Sequence, residues 1–392
     1  MRILDATDDA VGPAMAGSAL RAFELARTLE RHGHEVLLAA AAGSRPPDAG
    51  GPPLAEPPPW GWAEAVLAPP WSLPPRAFLG RHLLIADGIT PLLAELEAMP
   101  PTPERTRRRR TAAARLPLVA ARADAVLTGG PAQVEWWTER LRGRFGLPLL
   151  TVPFGIPDQP APDERDRVPG VPDDWAVVLW WGGVWPWLDL DTLLAARALL
   201  GPVPVSVVVP VAPRPGSGSV GWDAAALAEA AAAHGLAPPQ VVALSSWVPY
   251  RDRHRILNRA ALVAVLHRSG DEATLSFRTR ALDAVWAAVP LLLSEGGEVS
   301  RLARQHGWGG VAPPGDAPAV AATIERLLSD ESQASCRTAL ERSRPRWAWS
   351  RVTEPLVAAI PELPRVARRS LALAALRAAL ALRPGRARER TA

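Results

Sequence analysis

Residues 276–293 read SFRTRALDAVWAAVPLLL. Two arginines, Arg278 and Arg280, stand just ahead of a segment that then turns almost wholly apolar. One carboxylate, Asp283, interrupts it, and Pro290 opens a second apolar run. The spacing predicts a buried-faced helix over 277–288 followed by a buried strand over 290–294. Positive charge near a helix start is mildly unfavourable for the macrodipole, so something negative should offset it. A neighbouring acid (Asp271, Glu272 or Asp283) would do so, and so would a bound phosphate. A helix feeding a buried strand is the repeating unit of a parallel α/β sheet.

Outward from this stretch the same alternation continues in both directions. Strands are predicted at 176–183, 205–211, 241–247, 261–268, 290–294 and 309–312, with helices at 190–200, 222–234, 251–259, 299–306 and 317–328. Nearer the start, strands are expected at 2–6, 32–41, 64–69, 82–88, 123–130 and 148–152. The intervening helices lie at 19–31, 89–99 and 131–142, and 100–110 reads as a charged, proline-opened loop leading into another helix. In helix 19–31 the apolar face carries Leu20, Phe23, Leu25, Ala26 and Leu29, with Arg21, Glu24, Arg27 and Glu30 on the other side. A proline-rich linker, 153–174, separates the two alternations. The fold class is therefore α/β, with two Rossmann-like domains facing across a cleft. The expected units are 1–158, 159–345 and a C-terminal segment, 346–392, whose helix returns towards the first domain.

A chain of 392 residues is too long for one core, which agrees with two domains. The single cysteine, Cys336, excludes an intramolecular disulfide framework and a cysteine zinc cluster. No signal peptide or confident membrane span is evident, so a cytoplasmic protein is expected. All 44 basic residues are arginine, so any phosphate clamp must use guanidinium or backbone N–H groups. From Arg365 onward eight arginines face one acid, a tail of +7, while the remainder sums to −3. The body is not a nucleic-acid binder by charge. The tail (365–390) and the cluster 105–110 are the two basic patches; the tail suits a helix lying on an anionic membrane, a helix packed back on the first domain or a frayed terminus, and 105–110 could join a membrane contact.

Several loops at strand ends have the composition of ligand sites. Gly12 and Gly17 lie between the first strand and the first helix, either as a simple turn or as an anion site. WWGGVWPWLD (180–189) places Gly182 and Gly183 directly after a strand, where a ligand can approach the backbone. Trp185 and Trp187 follow that turn, whereas Trp180 reads as core. Asp283 shares a turn with Arg280, and its carboxylate suits the hydroxyl groups of a sugar.

Taken together, EATLSFRTRALDAVWAAVPLLLSEGG (272–297) resembles the nucleotide-sugar signature of GT-B glycosyltransferases, specifically bacterial family-4-type enzymes. The resemblance extends to the opening 1–40, ADAVLTGG, VPFGIPD, WWGGVWPWLD, SSWVPYRDRHRILNRA and HGWGGVAPPGD. It implies a nucleoside-diphosphate sugar as donor and a saccharide or lipid-linked saccharide as acceptor. It also implies retention of configuration, no metal or other cofactor, and a role in surface polysaccharide or glycolipid assembly. Asp283, seven residues before Pro290, takes the place of the family's ribose-binding acid. Leu275 occupies the position of the first acid, and Glu272 is the nearest substitute. The family's Arg and Lys after the strand at 176–183 are missing, which leaves Arg278 and Arg280 to clamp the diphosphate. The double glycine would back the diphosphate, and Trp247–Tyr250, Trp247 and Val248 first among them, would lie near the base. Asp87 and His267 join Glu272 as candidates near the anomeric carbon. A phosphorylase would need a cofactor lysine that the chain lacks. An epimerase or a degenerate sugar-nucleotide binder are the remaining alternatives.

Overall fold

The computed structural model describes residues 1–45, 51–141, 147–212 and 222–363. The basic tail from 365 onward lies outside the described residues. Twelve strands form two all-parallel six-stranded sheets among them. The first sheet contains β1 (Arg2–Ala6), β2 (Glu35–Ala39), β3 (Ala65–Ala68), β4 (Leu83–Asp87), β5 (Ala125–Thr128) and β6 (Leu149–Thr151). The second contains β7 (Ala176–Trp180), β8 (Val205–Pro210), β9 (Val241–Leu244), β10 (Leu262–Val265), β11 (Leu291–Ser294) and β12 (Gly309–Ala312). Their strand orders are β2-β1-β3-β4-β5-β6 and β12-β11-β10-β7-β8-β9. Every expected strand is present. Parallel strands covered on both faces must be near-continuous apolar runs, and these are.

Strand order reverses between β1 and β3 in the first sheet and between β7 and β10 in the second. At such a point the flanking connections leave on opposite sides and open a crevice at the carboxyl ends of the strands. This is the Rossmann-like arrangement expected for both halves.

The helix Thr279–Ala287 buries Ala281, Leu282, Ala284 and Val285 completely. They belong to an apolar cluster that also holds Phe23 and Leu25 of helix Gly17–Arg31, Phe154 of the linker, and Trp347 and Trp349 near the C-terminus. The C-terminal segment does return to the first half. The Ile156 amide donates to the Trp347 carbonyl, the Trp349 amide donates back to the Ile156 carbonyl, and the Trp349 ring packs on Phe154 with centroids 5.0 Å apart.

Two expectations need correction here. Residues 103–113 are helical, not a loop. The Thr102 hydroxyl caps the Arg105 amide and Pro103 pre-sets the first turn, and these local signals outweigh a surface that buries only Ala112. Arg21 and Glu24 are buried, at 2% and 4% exposure: Arg21 turns onto Asp87 and the Val152 and Pro153 carbonyls, and Glu24 is met by Tyr250 of the second half.

Candidate functional site

The two switch-point crevices open into one cleft of about 800 Å³, lined from both halves. Thr7 and Asp8, after β1, and Pro69, after β3, come from the first sheet. Trp181–Gly183, after β7, and His267, after β10, come from the second. Of the thirteen residues singled out from sequence, Gly17, Gly182, Gly183, Trp185, Trp247, Val248, His267, Glu272, Arg278, Arg280 and Asp283 line this cleft. Gly12 and Asp87 do not.

The glycine turn after β7 is built around Arg280. Gly182 adopts φ +88°, a left-handed conformation that disfavours a side chain. A Cβ there would lie 3.3 Å from the Arg280 guanidinium carbon. Arg280 Nη1 donates to the Gly183 carbonyl at 3.1 Å, so its guanidinium lies against the turn with donors left for the cleft. Burial lowers its pKa to about 10, which still leaves it charged at neutral pH. Trp185 and Trp187 stack on each other at 6.0 Å beside the same turn.

Arg278 behaves differently, although only two residues away. It is 2% exposed, and Nη1 donates to the Ser294 carbonyl and Ser300 Oγ at 2.5 and 2.7 Å. Nη2 donates to the Glu295 carbonyl at 3.1 Å. The expected role of Arg278 as a diphosphate clamp is therefore corrected: its guanidinium is spent on the turn that follows β11. Arg278 precedes helix Thr279–Ala287, so its side chain runs back under the sheet edge, whereas Arg280 in the first turn points across to β7.

His267 and Glu272 form a buried pair, with Nδ1 of the imidazole 2.7 Å from Oε2 of the carboxyl group. Burial first, then the nearby Arg278 and Arg280, push the His267 pKa well below its usual value. Burial raises Glu272 to about 7. Near neutrality the imidazole is uncharged and the carboxyl group is poised to hold or release a proton. Glu272 sits on a short helix, Asp271–Leu275, and Leu275 is itself buried. The Leu275 carbonyl accepts a hydrogen bond from Gln133 of the first half.

Asp283 is in the cleft but is not a bare carboxylate. Oδ2 accepts from Trp181 Nε1 at 2.9 Å and Oδ1 from Arg253 Nε at 2.8 Å. Arg253 and Trp181 are site residues that sequence reading did not assign. Arg253 lies in RDRHRILNRA among several arginines, and two of its partners, Asp283 and Trp286, are thirty or more residues away in sequence. Tyr250, the last residue of the stretch expected near the base, lines the cleft and ties the halves: its hydroxyl donates to Glu24 of the first half at 3.2 Å, and its amide donates to the Pro13 carbonyl.

On the first-half wall, Gly17 opens helix Gly17–Arg31 with no side-chain cap. A Cβ on Gly17 would lie 3.5 Å from Thr279 Oγ1, so two helix starts meet across the cleft. Gly12 is instead a turn against Arg45, with a Cβ position 3.8 Å from the Arg45 carbonyl oxygen. Asp87 is corrected as a catalytic candidate. It is buried and held by Arg21 Nε at 2.6 Å, below the cleft floor. Arg21 also donates to the Val152 and Pro153 carbonyls, so the pair fastens the start of the linker. The cleft-facing acids of this half are Asp8, Asp9 and Glu95, and its cleft-facing arginines other than Arg21 are Arg107 and Arg108.

By sequence, no protein-family model and no curated protein matches the chain. By structure it is similar to GT-B glycosyltransferases. HepE from Anabaena in complex with UDP-glucose aligns at TM-score 0.66 and 16% identity, covering 93% of this chain and 100% of that one. A sucrose-phosphate synthase from Thermosynechococcus elongatus aligns at TM-score 0.63 and 16% identity, over 93% and 99%. WaaG, a glycosyltransferase involved in lipopolysaccharide biosynthesis, aligns at 0.64 and 15% identity, over 91% and 98%. At this identity the likeness is one of fold: two Rossmann-like halves facing across a cleft. No described helix is long and apolar enough to cross a membrane.

Proposed function

We propose that the chain is a glycosyltransferase that moves a sugar from a nucleoside-diphosphate sugar, held by the second half, to an acceptor on the first. The carrying observation is the convergence, at the β7/β10 switch point, of Arg280 over the Gly182–Gly183 turn with Asp283 one turn along the same helix. A cation beside exposed backbone suits a diphosphate, and a carboxylate at that distance suits the ribose hydroxyls. Trp247 and Val248 flank the place of the base. The likeness to HepE, whose structure holds UDP-glucose, supports the same reading.

Transfer with retention fits a site whose main task is to stabilise a departing diphosphate. Arg280 and the first-turn amides of helices Gly17–Arg31 and Thr279–Ala287 carry that charge, and the reaction uses no metal. His267 and Glu272 lie beside this locus, ready to hydrogen-bond the donor sugar. Trp71, Met99, Arg107 and Arg108 on the opposite wall suit an acceptor with apolar and anionic parts, such as a lipid-linked saccharide. Helix Pro103–Ala113 would then face an anionic membrane, and the product would belong to surface polysaccharide or glycolipid. The test is to incubate the protein with UDP-, GDP-, ADP- and TDP-glucose and assay nucleoside diphosphate release. Slow hydrolysis of one donor, lost in Arg280→Ala, is expected. Binding without release from any donor would leave a sugar-nucleotide binder and refute transfer.

A further inference from the structure

We propose that Arg253 is the positioning residue that sets Asp283 for the donor ribose. The proposal rests on the donor-site reading above. Arg253 is 5% exposed, and its guanidinium carbon lies 3.8 Å from the Tyr250 ring centroid and 4.0 Å from that of Trp286. A planar cation held between two aromatic faces can use its N–H groups only in its own plane. In that plane Nε donates to Asp283 Oδ1 at 2.8 Å and Nη1 to the Tyr250 carbonyl at 2.6 Å.

Two consequences follow for Asp283. With Trp181 Nε1 on Oδ2 and Arg253 Nε on Oδ1, both oxygens are fixed by donors from outside their own helix. A carboxylate offers about four acceptor positions, so each oxygen keeps one for a ribose hydroxyl. Arg253 also neutralises the carboxylate, which would otherwise stand as an unpaired anion beside a bound diphosphate. Arg253 thus acts on the donor through Asp283, without touching it.

The test measures the affinity of UDP, GDP and ADP and of their 2′,3′-dideoxy counterparts for the full chain and its variants. Wild type should prefer the ribonucleotide by at least about 10-fold, the worth of hydrogen bonds to a charged group. In Asp283→Asn and in Arg253→Met that preference should collapse while dideoxynucleotide affinity is kept. The double variant should be no weaker than either single one, because both remove the same contact. A general loss of structure would weaken both nucleotide forms together. If Arg253→Met does not fold, Arg253→Lys serves instead, since an ammonium keeps the charge without the planar fork and should still lose the preference. A variant at Arg253 that retains the full ribose preference overturns the proposal. So does a wild type that binds nucleotides without any preference, which leaves the donor-site reading standing. If wild type binds none of the six, the donor-site reading falls and this proposal with it.

Discussion

Arg278 and Arg280 look equivalent in sequence, and the structure gives them different surroundings, so under the proposed function replacing each with alanine should have different effects. Among the described residues Arg280 makes a single hydrogen bond, to the Gly183 carbonyl. Its loss should leave stability nearly unchanged and remove a cation from the diphosphate locus. A hydrogen bond to a charged group contributes about 1.5–3 kcal/mol, or roughly 10- to 150-fold in Kd. Arg278 satisfies the Ser294 and Glu295 carbonyls and Ser300 Oγ inside the fold. Deleting it takes this donor from the part-buried Glu295 carbonyl, leaves the Ser294 carbonyl to Ser300 Oγ, and opens a cavity where the side chain was, together costing about 3 kcal/mol. For a unit of this size that lowers Tm by about 6–12 °C. The assay is calorimetric titration of UDP, GDP, ADP and TDP and their parent nucleosides into both variants, with thermal unfolding alongside. Arg280→Ala should weaken the diphosphates but not the nucleosides, and Arg278→Ala should unfold early. Unchanged diphosphate affinity in Arg280→Ala would remove the clamp, and a fully stable Arg278→Ala would refute the assignment of that side chain to the fold.

Two further outcomes are expected. Glu272 has its pKa raised from 4.5 to about 7, so wild type loses stability as pH rises through that window. The lowered pKa of His267 works the other way, favouring the fold as pH rises towards 6.5. Glu272→Gln removes only the first effect. The Tm of the variant minus that of wild type should therefore climb from pH 4.5 to 7 and level off above it; a difference flat across that window would contradict the buried-acid reading. Trp349 is 1% exposed and locks the C-terminal segment onto the linker beside Gly155, where a Cβ would sit 2.5 Å from its ring. Trp349→Ala should cost about 3–5 kcal/mol in denaturant unfolding, and a loss below about 1 kcal/mol would mean that the segment is held by something else.

The strands were legible because buried parallel strands leave a plain trace: β-branched and leucine runs closed by glycine or proline. The cleft was legible for the same reason, since glycines after β7 and polar residues after β10 mark the carboxyl edge of a sheet. What the pattern could not give was the partner of each polar group. Helical periodicity identifies the apolar face of helix Gly17–Arg31, but not that Asp87 would take up Arg21 or that Tyr250 of the second half would meet Glu24 on the other face. Helix Pro103–Ala113 lacked an apolar face to read, although Thr102 and Pro103 were its start signal. Asp87 looked free at a strand end because Arg21, 66 residues before it, was assigned to solvent. Arg253 was hidden because Asp283 and the Trp286 ring, about thirty residues further along the chain, complete the role that nearby Tyr250 only begins.

The arginine-only composition has a physical use in this cleft. Six arginines line it among the described residues: Arg21, Arg107, Arg108, Arg253, Arg278 and Arg280. Arg21, Arg253 and Arg278 each bind two or more protein acceptors from one planar group, a geometry that a lysine ammonium on a flexible stem holds poorly. Arg107 is paired with Glu104. Most of the positive charge near the cleft is therefore tied to protein acceptors, and in the second half Arg280, with one such acceptor among the described residues, keeps the most donors for a ligand. In the proposed reaction one guanidinium is too little for a departing diphosphate, and the remainder must come from backbone amides. The two uncapped helix starts at Gly17 and Thr279 supply these, and they belong to different halves. Stabilisation of the leaving group is then complete only where the halves meet, so the chemistry would depend on contacts such as Tyr250–Glu24 and Gln133–Leu275 that hold the first half against the second.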